Sequence, residues 1–476
     1  MWPFENSYIE QLPEQLYSLQ NPEPADYPEI VYFNDELAKS LGINQLTEDR
    51  EMVRQVLSGA QVPEGTKSIA QAYAGHQFGN FTMLGDGRAV LLGELVTDGK
   101  RFDLQLKGSG QTKFSRRGDG RATLASMLRE YLMSESMHFL GIPTTRSLAV
   151  VKTGLPVYRE SVNDGAVLTR IAASHIRVGT FEYARFFAKP EHLSVLTDYV
   201  IARHYPDLAE TNDKVLKFFS AVMERQIDLI VNWMRVGFIH GVMNTDNMSI
   251  AGETIDYGPC AFMNAYHPDT VFSSIDQNSR YAFKNQPRIA HWNLSVLANA
   301  LLPLIDEKQE VAVEKVTEIL DTFPGKFSSR NLEMMRHKLG IVHADESDKS
   351  LIGDLLPLLA NNQIDYTNFF TELRKDQISS KSLLENDQFI SWKQRWQAAH
   401  SRKEDELESL KLMERHNPVV IPRNHLVENA LDSAVNGDYS TFDALLKDMQ
   451  SPYGNRPEMQ LVPAGFDQRY QTFCGT

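Results

Sequence analysis

Apolar and polar positions change their period along this chain. Between residues 73 and 94, short apolar runs broken by glycines predict two strands joined by a hairpin turn at Asp86-Gly87. Residues 101–106 alternate with period two and predict a strand that ends on Lys107. From about Ala122 to Phe139 the period lengthens, and Leu124, Met127, Leu128, Tyr131 and Leu132 form one stripe, as on a helix. Segments 148–152, 156–161 and 166–171 read as further strands. Past Phe181 the pattern is helical. Asn212 or Asp213 stands where a cap is expected for a long helix reaching about Val236, with Leu216, Phe219, Met223, Ile227 and Ile230 along its apolar side. Helices are expected again over 288–305, 311–320, 351–359, 367–373, 387–399 and 402–415, with a last helical pair after the break at 418–423. Residues 1–70 mix loops with short helical pieces such as 35–41, and 451–476 read as an extended, Pro/Gly-punctuated tail. The expected class is α+β, a strand-rich N-terminal part followed by a larger helical one.

Composition narrows the function classes. The 476 residues carry 48 Lys and Arg against 62 Asp and Glu, a net charge of −14, which argues against a basic face for nucleic acid. No apolar run approaches the ~20 residues of a membrane span, and the first residues read as neither signal nor transit peptide. With only Cys260 and Cys474, no disulfide framework or cysteine metal site is expected, and a reducing cytoplasm is the expected setting.

The chemistry concentrates in residues 238–257, F-I-H-G-V-M-N-T-D-N-M-S-I-A-G-E-T-I-D-Y. Hard oxygen ligands on two neighbouring loops are what Mg²⁺ with a triphosphate requires. Protein kinases use H-R-D-x-x-x-x-N followed by D-F-G. Here His240 and Asn247 fit, and Asp256-Tyr257-Gly258 falls on D-F-G, but Val242 stands where the catalytic Asp belongs. A valine accepts no proton, so Asp246 is the nearest replacement carboxylate. Upstream, Lys107 at a strand end and Glu130 on the next helix repeat the kinase pair that holds a lysine against nucleotide phosphates. Glycines 79, 85, 87 and 93 fit either tight turns or close approach of backbone N–H to phosphate. Lys113, Arg116, Arg117 and Arg121 crowd the start of the helix as a candidate anion site, and Arg170 with Arg177 offers a phosphate clamp. Taken singly, Glu130 reads as a solvated helix charge and the polar loop as an Asn/Asp turn; their joint presence favours a nucleotide site.

The strings Y-A-G-H-Q-F-G-N-F…L-G-D-G-R, L-Q-L-K-G-S-G-Q-T-x-F-S-R-x-G-D-G-R and H-G-V-M-N-T-D-N…I-D-Y-G-P resemble the selenoprotein O family over nearly the whole chain. The resemblance implies a protein-kinase-like two-lobed fold: an N-lobe over 71–180, a helical C-lobe over 181–450, and extensions over 1–70 and 451–476. It implies transfer of AMP from ATP to Ser, Thr or Tyr hydroxyls of proteins, self-modification included, with the nucleotide reversed relative to kinases and pyrophosphate leaving. Carried over, Gly85, Gly87, Arg88, Lys107, Asp119, Gly120, Arg170 and Arg177 would touch ATP, and Glu130 would hold Lys107. Asp246 would accept the proton, and Asn247 and Asp256 would bind Mg²⁺, with Mn²⁺ an alternative. Neither nucleic acid nor a membrane is an expected partner. The rivals are a conventional kinase, a UMP-transferring enzyme using the same acids, and an inactive ATP-binding scaffold. A reversible Cys260–Cys474 disulfide is a separate expectation, a redox latch on the segment after Asp256.

Overall fold

In the computed structural model, which describes residues 2–77, 79–400, 405–453 and 461–473, the chain first weaves a sheet and then turns helical. The strands are β1 (Tyr17–Leu19), β2 (Glu29–Phe33), β3 (Ile69–Gln71), β4 (Ala74–Gln77), β5 (Asn80–Met83), β6 (Ala89–Thr97), β7 (Lys100–Lys107), β8 (Ala122–Thr123), β9 (Arg146–Tyr158) and β10 (Val162–Ala172). Among the described residues the main sheet runs β1-β3-β6-β7-β10-β9-β2 with β8 on β10, and its pairings are antiparallel. β4 and β5 stand apart as their own hairpin.

β6 and β7 are joined through Asp98-Gly99, both at positive φ (49° and 73°), the conformation a two-residue hairpin loop needs to match the strand twist. Alternation then sorts side chains between the two faces of the sheet. Val90, Leu92, Leu104, Leu106, Val151 and Val167 face one core. Of the short helices α1 (Ser7–Gln11), α2 (Asp35–Ser40) and α3 (Arg50–Leu57), the last two close that core with Leu37, Val53, Val56 and Leu57. Leu91, Val150, Ala166 and Leu168 face the other core, shared with Leu128 and Leu132 of α4 (Leu124–Phe139). By the same alternation β7 presents Gln105 and Lys107, and β10 presents Arg170, on the α4 side.

The helical part opens with α5 (Val178–Phe186), α6 (Pro190–His204), α7 (Lys214–Val236) and α8 (Gln286–Ile305). It continues through Gln309–Leu320, Phe323–Lys338, Asp348–Asn361, Tyr366–Arg374, Asp387–His400, Glu406–His416, Asn424–Val435 and Ser440–Met449. α7 buries Phe219, Val222, Met223, Ile227, Ile230 and Trp233 and stops at Gly237, whose φ of 74° suits glycine in the left-handed region. The short strands β11 (Phe238–Ile239) and β12 (Ala261–Phe262) pair just beyond it. No helix among the described residues is long and apolar enough to cross a membrane.

Several expectations are corrected. Asp86-Gly87 is not a hairpin turn, since β5 ends at Met83 on β4, and β6 pairs with β7. Asp86 is drawn inward, where its Oδ2 accepts from Gln71 N (3.1 Å) and Gln105 Nε2 (3.2 Å). Gly85 and Gly87 lie against Phe114, which leaves no space for a Cβ at either. The three segments between 148 and 171 are two long strands; Pro156 is tolerated opposite Asp164, beside a register shift. The helix at 122 starts two residues later, with Thr123 Oγ1 accepting from Ser126 N at 3.3 Å as its cap. Phe323–Lys338 is a further helix, absent from the expectations, with Pro324 in its first turn, where proline is tolerated. Arg121 pairs with Glu23 at 3.1 Å.

Cys260 precedes β12, is fully buried, and has its thiol pushed up to about 12 by burial. Its expected latch partner, Cys474, lies outside the described residues; Thr472 Oγ1 donates to Pro259 O at 2.7 Å. Two outcomes follow. Iodoacetamide at pH 8 leaves the Cys260 peptide unmodified in the folded protein and alkylates it in urea, as read by mass spectrometry. Gly237→Ala lowers stability by about 1–2 kcal/mol, the penalty of an L residue in that conformation, read as an earlier denaturation midpoint.

Candidate active site

β7 ends by delivering Lys107 into the interior, where Nζ donates to Glu130 Oε2 on α4 (2.6 Å) and to Asp256 Oδ1 (3.0 Å). From β10, Arg170 donates through Nε to Glu130 Oε1 (2.9 Å) and through Nη2 to that same oxygen and to Asp256 Oδ1 (2.7 Å). Arg177, at the start of α5, brings Nη2 to 3.5 Å from Asp256 Oδ2 and Nη1 to 3.8 Å from Asp86 Oδ1. Its guanidinium lies 4.3 Å from the centroid of the Tyr73 ring. Lys107, Glu130, Arg170 and Arg177 are buried and Asp256 is half-buried. Burial alone would push the Glu130 and Asp256 carboxyls up. Arg170 and Lys107 overcome it and hold both below the usual range, Asp256 well below with Arg177 adding its share. Burial, then Arg170, draws the Lys107 ammonium down against the pull of both carboxylates. Asp86 goes the other way, pushed up to about 6 by burial in spite of Arg177.

The polar loop after β11 is pinned from several sides. His240 is buried, donates from Nε2 to Ile255 O (2.9 Å) and stacks on Trp233, and burial lowers its pKa, so it is a neutral structural group. Gln286, at the start of α8, accepts from His240 N (3.0 Å) and donates to Phe238 O (2.9 Å). Asn293 donates to Met243 O (3.0 Å), and Tyr281 donates its hydroxyl to Asn244 Oδ1 (2.5 Å). Asn247 donates Nδ2 to Val242 O (3.0 Å), which turns its Oδ1 away from that carbonyl. Asp246, in the turn Thr245–Asn247, is 8% exposed, and its Oδ1 is buried without a hydrogen-bond partner. Burial pushes its carboxyl up to about 6.

Asp256 and the Asn247 amide oxygen are hard donors of the type Mg²⁺ takes, so their chemistry fits it. Among the described residues no group of three His, Cys, Asp or Glu forms a metal cage. A divalent cation here would complete its shell with phosphate oxygens and water, the usual habit of Mg²⁺.

Beside the cluster lies a cavity of about 400 Å³, walled by Arg88, Lys107, Glu130 and Tyr257, with Tyr470 and Phe473 of the C-terminal segment opposite. The structure therefore brings Lys107, Glu130, Arg170, Arg177 and Asp256 into one cluster and sets Arg88 at its edge. Gly85 and Gly87 pack on Phe114 outside this lining, Asp119 pairs with Arg159 at 2.8 Å with its side chain 42% exposed, and Gly120 packs on the Gly110 backbone. Sequence reasoning passed over Asp86, Tyr73, Gln105 and the tail residue Tyr470. Asp86 stands inside a quoted motif and was readable as an acid; nothing local marks Tyr470, whose hydroxyl meets Glu428 (2.6 Å) and Arg129 Nη2 (3.3 Å).

Comparison with known proteins gives this arrangement a context. The family model described as "Protein adenylyltransferase SelO" matches residues 3–450. A protein of Syntrophotalea carbinolica named "Protein nucleotidyltransferase YdiU" is 50% identical over all of this chain and 98% of its own length. Proteins of the same name from Brevibacillus brevis (51% identical, 98% of its length) and Pelagibacter ubique (50%, 99%) match the whole chain equally. The chain belongs to the SelO family of protein adenylyltransferases, and it is a nucleotidyltransferase.

Proposed function

We propose that this enzyme transfers AMP from ATP to Ser, Thr or Tyr hydroxyls of proteins, itself included, in a cleft between two kinase-like lobes that divide near residue 180. The observation that carries the reading is the convergence of Lys107, Arg170 and Arg177 on the single carboxylate of Asp256. Glu130 holds two of these cations, Asp86 lies 3.8 Å from the third, and the three side by side on Asp256 are the set of donors a polyphosphate takes. The phosphates then lie along these cations, and Arg88 and the 400 Å³ cavity flank them.

Val242, buried in the kinase base position, takes no proton, so the hydroxyl proton goes to Asp246. With its carboxyl at about 6, Asp246 is mostly ionised near neutral pH and basic enough to accept. The acceptor oxygen attacks the α-phosphorus, the bond from that phosphorus to the bridging oxygen breaks, and its electron pair leaves with pyrophosphate. Lys107, Arg170 and Arg177 offset the charge gathering there, and Glu130 fixes Lys107 and Arg170 for that task. Asn247 and Asp256 would hold Mg²⁺, or Mn²⁺ in its place, which when bound neutralises phosphate charge. The proposed compartment is a reducing cytoplasm.

ATP labelled at the α-phosphate, beside a γ-labelled sample, tests this. The expected outcome is covalent protein label from α only, cut roughly 100-fold or more in Asp256→Ala, the scale of losing one preorganised electrostatic group. Label from γ only would make the enzyme a kinase. EDTA is expected to abolish the α label and added Mg²⁺ or Mn²⁺ to restore it; transfer that persists in EDTA would remove the metal from the proposal.

A further inference from the structure

The β4–β5 hairpin belongs to no other sheet, and it lies across the turn that carries Asp246. At Gly75 an added Cβ would stand 2.3 Å from Asp246 Oδ1 and 2.8 Å from its Cγ. At Gly179, in the first turn of α5, an added Cβ would stand 1.9 Å from Ala74 O and 3.5 Å from Asp246 Cα. Two glycines thus let two separate chain segments close on one acid. The next residue ties the hairpin down: His76 N donates to Thr245 Oγ1 at 2.8 Å. His76 Nδ1 lies 2.6 Å from Oε1 of the fully buried Glu182, close in distance but not aligned as a hydrogen bond. The Thr245 hydroxyl also reaches Glu182, and the Gln77 side chain reaches Asp246.

Asp246 Oδ1 itself has no donor. A proton acceptor needs such an oxygen left open, so the hydrogen bonds that the carboxyl does receive, from the Gln77 side chain and its own backbone, leave Oδ1 itself to be aimed by packing. We propose that Gly75, backed by the His76–Glu182 pair, is the positioning element that aims the Asp246 carboxylate at the acceptor hydroxyl. The inference rests on the reading of Asp246 as proton acceptor. Gly75 touches the reaction through that carboxylate, and the phosphate-binding cations belong to other elements, so its effect falls on the transfer step and spares nucleotide binding. Gly75 is not among the positive-φ glycines, so alanine suits its backbone, and the obstacle it meets is the short Asp246 side chain, its carboxyl at 2.3–2.8 Å and its Cβ at 3.0 Å. Folding survives that displacement; aim does not.

The test uses the full chain with Gly75→Ala, Glu182→Gln and Asp246→Ala. It measures kcat for transfer from α-labelled ATP, KM for ATP, and the rise in melting temperature on adding ATP with Mg²⁺. Gly75→Ala is expected to lose roughly 10- to 100-fold in kcat, the scale of an ångström-sized misplacement, with KM and the ATP-induced melting shift as in the unmodified enzyme. Glu182→Gln shows a smaller loss of the same kind. Unchanged kcat in Gly75→Ala, or a loss matched by weakened ATP binding, overturns the inference. Transfer persisting in Asp246→Ala would remove the proton-acceptor reading and the inference with it. A dead Asp246→Ala beside a fully active Gly75→Ala removes the inference alone. Should Gly75→Ala fail to fold, Glu182→Gln decides, by a kcat loss at an unchanged melting shift or by its absence.

Discussion

Glu130 is the hinge of the active site's electrostatics. It is buried on α4, and its two oxygens hold Lys107 from β7 and Arg170 from β10, both of which also reach Asp256 from the loop that follows. Sheet, helix and loop are thereby joined at one point. Without Glu130, two cations would face one another in a poorly solvated space, and breaking a buried pair by removing one partner costs about 3–5 kcal/mol. Such clusters are seldom the cheapest way to stabilise a core, since apolar replacements often do as well. Under the proposed function their retention is explained by what they would bind. In the proposed function, cations already desolvated and held in place by a protein carboxylate would exchange one anionic partner for another on meeting polyphosphate, with little reorganisation.

The second constraint is the rigidity of the loop from His240 to Asn247. A neutral, stacked His240 braces it from below, Gln286 and Asn293 of α8 satisfy its backbone, and Tyr281 holds Asn244. Buried polar groups with their partners in place define a single geometry. Against that frame the unpartnered Oδ1 of Asp246 stands out. The loop's hydrogen bonds hold its shape and leave that oxygen open, as the proposed role of proton acceptor requires.

Much of the site was legible in the residues because its signals are local. A period-two run ending in Lys107, a 3.6-period stripe carrying Glu130, and a polar loop with Asn247 and Asp256 each declare an element and a chemistry from adjacent positions. The order of strand-rich and helical parts followed from the same periodicities, and the long motif strings identified the family. The misreadings share a cause. Asp86-Gly87 has the composition of a hairpin turn, yet Gln71, Gln105 and Phe114 claim it. Residues 148–152 and 156–161 read as separate strands, yet β10 pairs along both and β9 runs through the break between them.

Element type and residue chemistry are properties of neighbouring positions, so periodicity and composition carry them along the chain. Partnership is not. That Arg170 shares Glu130 with Lys107, that Tyr470 of the tail closes on Arg129, and that Gly75 faces Asp246 all depend on how segments remote in sequence pack. The energies that choose those neighbours, desolvation, close packing and charge pairing in a dry interior, exist only once the chain has folded and excluded water.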